Sequence, residues 1–210
     1  MSPTSRGAHL AVAVSDRDHA SGPPYAAVTL VEYGDFECPF CGMAYPDIKR
    51  IQSRLGDQLR FVYRHFPRPE HPHARDAAEA AEAAAAQGAQ YFWSMHDQLF
   101  ENQRALDDSS LLAYASRIGL DIDRFRADFT RHMYRERVHE DLESAVASGV
   151  HGTPTFFING QRYEGRARAD DLYRALLVHL DDAAPADEVD EASAEPFSAS
   201  DAPGWIRERI

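Results

Sequence analysis

The stretch that most constrains this chain is Val28-Thr29-Leu30-Val31-Glu32-Tyr33-Gly34-Asp35-Phe36-Glu37-Cys38-Pro39-Phe40-Cys41. The run from Ala27 to Tyr33 is rich in β-branched residues and apolar on both faces, which predicts a strand covered by helices on each side. A turn follows, and then Pro39, in the first turn of a helix, where a missing N–H leaves nothing unpaired that was not unpaired already. Strand, turn and helix therefore come in immediate succession, with Cys38 and Cys41 at the helix start. They are the only cysteines in the 210 residues. Two thiols one helical turn apart, with no others to pair with, point to thiol chemistry rather than to a structural bridge.

The remaining chain sorts by pattern around that stretch. Residues 1–24 read as an N-terminal arm, with an edge strand expected in 9–14 and a loop at Ser21-Gly22-Pro23-Pro24. The helix that opens near Pro39 continues through Met43, Ile48, Ile51 and Leu55 to a stop at Gly56. A second apolar run from Leu59 to Phe66 then closes a strand–helix–strand unit, parallel and right-handed. That places the dithiol at the carboxyl end of the first strand, where open α/β sheets present functional groups.

Residues 68–149 carry only helical signals. Ala74 to Ala86 is an alanine-rich helix whose small side chains admit a close neighbour. Phe92, Met95, His96, Leu99 and Phe100 recur at helical spacing on one face. Leu111, Leu112, Ala115 and Ile118 mark a third helix ended by Gly119. Asp121 is a fitting N-cap for a fourth, with Ile122, Phe125 and Phe129 inward, and Leu142, Ala145 and Val146 mark a fifth. Strands return at Thr155 to Ile158, and Asn159-Gly160 supplies both positive φ values of a type I′ hairpin turn before Gln161 to Tyr163. Asp170 to Leu180 is a closing amphipathic helix with Leu172, Ala175, Leu176 and Val178 available to pack. The class is α/β: βαβ and ββα pieces at 25–67 and 150–180, interrupted by an all-helical insertion at 68–149.

Charge narrows the partners. The net charge of −12 is uneven, with −7 carried from residue 181 onward. The body is only mildly acidic and offers no basic stripe to displace counterions, so no nucleic-acid partner is expected. The 181–210 tail, rich in Ala, Asp, Glu, Ser and Pro, lacks the apolar surface to order itself. The run from Leu10 to Val14 is too short for a signal-peptide core or a spanning helix, so no membrane association is expected, and the protein reads as cytoplasmic and monomeric.

With these residues in place, the sequence resembles the DsbA-like branch of the thioredoxin superfamily, thiol–disulfide oxidoreductases with an inserted helical domain. The resemblance runs from about Asp18 to Leu180. It rests on Leu30 to Cys41, on Arg-His-Phe-Pro at 64–67, His-Pro-His-Ala at 71–74, Phe-Trp-Ser-Met-His at 92–96, and Gly-Thr-Pro-Thr-Phe-Phe-Ile-Asn-Gly at 152–160. It implies a thioredoxin fold split by the insertion and a redox-active Cys38–Cys41 disulfide in place of any cofactor. The implied partners are a protein or low-molecular-weight disulfide or dithiol and a separate electron-exchange partner.

The residue roles follow. A helix N-terminus stabilises the Cys38 thiolate through unpaired N–H groups and the helix dipole, making it the nucleophile. Cys41, one turn in, resolves the mixed disulfide. Pro154 resembles the cis-proline that faces the dithiol in the superfamily, with Thr153 offering backbone bonds to an extended substrate and Pro39 and Phe40 completing the binding surface. Glu32 matches the buried acid beneath the pair and is expected to have a raised pKa. Pro46 resembles the kink proline of the same helix. Strongly oxidising relatives carry a histidine at the position of Phe40. With no cation there, and with Asp35 and Glu37 opposing a thiolate, a less oxidising couple acting as a reductase is expected.

Three rivals stand beside this reading. A zinc site would need two ligands beyond the cysteines, and no element of the expected fold brings His71 or His73 to them. His65, His73 and His96 are expected to cap helices or to sit in partly buried hydrogen bonds. Glutathione-dependent transferases and isomerases of the same fold lack the intact pair. A non-catalytic peptide-binding chaperone or a tail-mediated interaction module would keep the groove around Thr153 and Pro154.

Overall fold

A computed structural model describes residues 8–166 and 168–183. The chain folds around a five-stranded sheet of order β1-β3-β2-β4-β5. The strands are β1 (His19–Ser21), β2 (Val28–Gly34), β3 (Leu59–His65), β4 (Thr155–Ile158) and β5 (Gln161–Arg162). β2 and β3 are parallel, while β1, β4 and β5 each run antiparallel to their neighbours.

Seven helices are described: α1 (Pro39–Leu55), α2 (Ala74–Ala85), α3 (Ala89–Glu101), α4 (Asp108–Arg117), α5 (Ile122–Thr130), α6 (Arg135–Ala147) and α7 (Ala169–Ala183). This is a thioredoxin fold interrupted between β3 and β4 by the helical insertion α2–α6. The 181–210 tail lies outside the described residues from 184 onward.

The central strands are buried on both faces for the reason their sequence suggests. Leu30, Phe61 and Tyr63 face a core shared with α1, α3 and α7, while Val31, Tyr33, Val62 and Phe157 face a smaller one closed by Ala145 of α6. The larger core also takes in Ala77, Ala80, Phe92, Leu111 and Phe125 from the insertion. α1 buries Cys41, Ala44, Ile48, Ile51 and Leu55, a spacing of three and four that holds one face to the sheet. On α3 the five residues of the expected apolar face, Phe92, Met95, His96, Leu99 and Phe100, are all buried. Asp121 caps α5 by accepting from the Arg124 N–H at 3.0 Å, and Asp107 caps α4 in the same way from Ser110. At the hairpin, Asn159 and Gly160 take φ of 47° and 80°.

Three expectations need correction. The edge strand is His19–Ser21, not 9–14. The 9–14 segment makes a single bridge, His9 to Gln161, and satisfies its backbone through scattered partners such as Gly160 O and Ser148 Oγ. It lacks the alternation of a half-buried strand: Ala11, Val12 and Ala13 are all exposed. Val146, one of the residues that mark α6, and Val178, expected to be available to pack, stand 62% and 59% exposed. In α6 the buried neighbour Ala145 takes the inward direction instead, and in α7 Leu172 and Leu176 do so.

Candidate functional site

The carboxyl end of β2, the start of α1 and the loop before β4 meet at the dithiol. Cys38 is the N-cap residue of α1, with φ −69° and ψ 122°, and Pro39 follows at the first helical position. Cys38 retains 4% exposure and Cys41 none, and both are free thiols. The Cys38 Sγ lies 3.4 Å from the Thr153 carbonyl oxygen, and the Thr153–Pro154 peptide bond is cis.

The two thiols are electrostatically unlike. The Cys38 thiol is lowered to about 5, first by a hydrogen bond from the Cys41 thiol, against the opposing effect of burial, then by Thr153 and the N–H groups of Cys41 and Phe40. Cys41 is pushed well above its usual value, by burial first and then by its role as donor to Cys38 and by the nearby Glu32 charge. Glu32 is 3% exposed and lies beside Tyr63 of β3 and Phe156 of β4 in the sheet register. Burial, followed by the Cys38 charge, raises its carboxyl to about 8.

The acids flanking the turn are each hydrogen-bonded. Asp35, 1% exposed, accepts from the Glu37 and Arg68 N–H groups at 2.8 and 2.9 Å and faces His71 Nδ1 at 2.7 Å. Glu37 accepts the His73 N–H at 2.6 Å and faces its Nδ1 at 3.0 Å. Burial works to lower the His71 pKa, but the Asp35 hydrogen bond and the Asp35 and Cys38 charges outweigh it and the net shift is upward. His73 is raised chiefly by its bond to Glu37.

A cleft of about 230 Å³ opens here, lined by Cys38, Pro39, Phe40, Arg68, His71 and Thr153 among others. Phe40 and Met43 rise beside it, 63% and 62% exposed. The structure thus gathers Cys38, Pro39, Phe40 and Thr153 on one cleft with Cys41 and Glu32 beneath. Pro154 lines a neighbouring depression with Phe156, Arg162 and Tyr163 instead.

Three contributors escaped the sequence reading. His71, which the sequence offers as part of the His-Pro-His-Ala motif and as a zinc-ligand candidate remote from the dithiol, lines the Cys38 cleft. Gln103 donates from Nε2 to the carbonyls of Phe36 and Cys38, at 2.8 and 2.9 Å, and so fixes the active turn. Gly42 permits that approach, since a Cβ there would stand 1.9 Å from the Gln103 Oε1. Only the His-Pro-His run carried a signal; nothing local to Gln103 ties it to a turn 65 residues earlier.

Among the described residues, the side-chain groups whose donor atoms converge tightly enough for a metal contain neither cysteine. In one, the Nε2 atoms of His19 and His65 sit 2.8 and 2.9 Å from Glu82 Oε1, with the Arg137 guanidinium 4.0 Å from the same oxygen. A guanidinium beside the carboxylate already supplies positive charge. His65 makes a buried hydrogen bond to Glu82 and His96 a part-buried one to Asp97, and His73 precedes α2 with its ring paired to Glu37.

Comparison with known proteins adds three findings. Residues 15–177 match the family model described as thioredoxin. Among solved structures, BdbD from Bacillus subtilis in its oxidised form superposes with a TM-score of 0.74 at 22% identity, over 83% of this chain and 98% of its own. DsbA2 from Pseudomonas aeruginosa gives 0.62 at 29% identity, over 79% and 95%. Among curated sequences, a protein of Salinispora arenicola named Na(+)/H(+) antiporter NhaA 1 is 48% identical over 162 residues. The match covers 77% of this chain but only 24% of that relative's length.

Proposed function

The chain belongs to the thioredoxin family and has the fold of the DsbA-like thiol–disulfide oxidoreductases, and from that premise we propose that it exchanges electrons with disulfides through Cys38 and Cys41. The observation that carries this reading is the asymmetry of the pair: one thiol at a cleft and ionised near neutrality, the other buried and protonated.

The steps follow from that asymmetry. The Cys38 thiolate attacks a substrate disulfide, and one substrate sulfur leaves as thiolate. With Cys38 now neutral in a mixed disulfide, its charge no longer raises the Glu32 pKa, and the carboxyl ionises more readily. Glu32 takes the Cys41 proton, the Cys41 sulfur attacks Cys38 Sγ, and the second substrate sulfur departs with the electron pair of the broken bond. Two electrons pass from dithiol to substrate, and the reverse sequence oxidises a dithiol. The exposed rim of Phe40 and Met43 suits a polypeptide, with the Thr153 backbone available to an extended segment.

The direction expected from sequence changes with the geometry. Asp35 and Glu37 each face a histidine, and His71, whose pKa is shifted upward, lines the cleft where Phe40 offers no titratable group. A stabilised thiolate stabilises the reduced form and makes the pair a stronger oxidant. We therefore place this couple further toward the oxidising side than the sequence alone suggested. The antiporter name belongs to relatives of whose length the matched segment is only 24%. No described helix here is long and apolar enough to cross a membrane, and ion transport is not part of the proposal.

The test is a trap. Cys41→Ser should accumulate a covalent adduct with a disulfide-bonded peptide, visible by mass spectrometry and reversed by reductant, while Cys38→Ser forms none. Adducts at Cys41 in the Cys38→Ser protein, or none in either, would overturn the assignment of roles.

A further inference from the structure

A second groove, of about 640 Å³, opens next to the Cys38 cleft, and the two hollows share Arg68 and His71 as a common wall. The loop 66–72 lines one part of the groove and α6 another. Its apolar lining includes Phe66, Pro67, Leu142 and Val146. Val146 is thus the exposed valine of α6, while its neighbour Ala145 is fully buried in the sheet-side core. Aliphatic surface left open beside a reactive centre points to a partner.

The groove is tied to the reactive sulfur through the backbone. The Phe66 N–H donates to the Gly34 carbonyl at 2.8 Å, the Arg68 N–H to the Asp35 carboxylate at 2.9 Å and the His73 N–H to the Glu37 carboxylate at 2.6 Å. Those acceptors belong to the turn that leads into Cys38. Pro67, Pro69 and Pro72 fix φ along the same loop. A segment lying in the groove meets a wall already set relative to Cys38, so little ordering is left to cost affinity.

The charges at the groove are unequally committed. Arg68 pairs with Glu70 at 2.7 Å. Asp76 lies within 4.8 Å of Glu79 and His132, a cluster that Arg135 also joins. Arg75 is exposed and lines the groove without an ion pair among the described residues. It is the cation there that a partner's carboxylate can take.

We infer that this groove recognises the polypeptide flanking the reactive disulfide, by seating a large aliphatic side chain against Val146 and Leu142 and a carboxylate on Arg75. The inference rests on the oxidoreductase reading above and assigns its substrate class. Continuity with the Cys38 cleft sets the occupant: a chain joined to Cys38 through its sulfur passes Arg68 and His71 to enter the groove.

Peptides whose single cysteine is capped as a mixed disulfide with an absorbing pyridine thiol report on it. Cys38 attacks the peptide sulfur, the Cys38–peptide bond forms, and the pyridine thiol leaves with the electron pair of the bond that breaks. Flanks of leucine and glutamate on both sides of the cysteine should give a kcat/KM about tenfold above flanks of glycine and serine, the scale of burying one aliphatic side chain. Val146→Asp should remove most of that preference. Arg75→Glu should lower it about threefold at low salt, the range of an exposed ion pair, and the effect should fade as salt screens it. The uncharged dipyridyl disulfide, which carries no flank, should react alike in all three proteins. A wild-type protein with no preference for the leucine and glutamate flanks, or a preference that both variants leave intact, overturns the inference. So does a loss shared equally by dipyridyl disulfide, which marks damage to the fold. A sedimentation mass altered by Val146→Asp with the peptide preference intact gives the groove to a second copy of the chain and overturns it too. A wild-type protein that forms no Cys38–Cys41 bond on reaction with dipyridyl disulfide overturns the oxidoreductase reading itself.

Discussion

His71 decides how the charges around Cys38 are to be added up. Read from the sequence, Asp35 and Glu37 are two uncompensated acids beside a thiol. In the fold each carboxylate meets a histidine and one or more backbone N–H groups. His71→Asn would remove the ring that faces Asp35 and whose pKa is raised in part by the Cys38 charge. Removing a favourable charge destabilises the thiolate, so the Cys38 midpoint should rise from about 5, by roughly one pH unit for a partly exposed pair. Ultraviolet titration of the thiolate reads this directly, and an unmoved midpoint would remove His71 from the account. The dithiol was legible because its signal is local: strand, turn and proline sit within one stretch of chain. His71 and Gln103 were not, because their roles are set by contacts 36 and 65 residues distant.

Among the elements, the legible ones have strong periodicity and their own caps. α3 shows its buried face in the spacing of Phe92, Met95, His96, Leu99 and Phe100, and α5 shows its start in Asp121. β1 fails on both counts. It is three residues long, and it is held at the sheet edge by what precedes it rather than by its own pattern. The holding device is Arg64 of β3, which reaches Asp18 from Nε and Nη2 at 2.6 and 3.1 Å and the Val12 and Ala13 carbonyls at 2.9 and 3.2 Å. These bonds tie the 9–14 segment across the sheet, which explains how an apolar run can be ordered there without being a strand. Arg64 is 2% exposed, and Asp18 is its one carboxylate partner among the described residues. Asp18→Asn keeps the shape but leaves a buried guanidinium uncompensated, at a cost of about 3 kcal/mol. Urea unfolding should show a lower midpoint at unchanged slope. A loss below about 0.5 kcal/mol, the range of ordinary surface changes, would mean that solvent reaches Arg64 and that the arm is not anchored by charge.

At the scale of the whole molecule, insertion and sheet share one core, so the helices that roof the dithiol are bound to the sheet that presents it. That continuity keeps Gln103, from the insertion, in place on the Phe36 and Cys38 carbonyls of the sheet side. A segment of this fold matches about a quarter of the length of much longer relatives.

The proposed exchange requires Cys38 and Cys41 to form a reversible disulfide with a potential between those of thioredoxin and DsbA. Equilibration in glutathione buffers of graded ratio, followed by acid quench and alkylation, measures it most directly. A thiolate pKa of about 5 lies between the values near 7 for thioredoxin and about 3.5 for DsbA. The midpoint should therefore fall between about −270 and −120 mV, in a single two-electron transition linking the two cysteines. Two alkylatable thiols at every ratio, or a glutathione adduct with no Cys38–Cys41 bond, would contradict it.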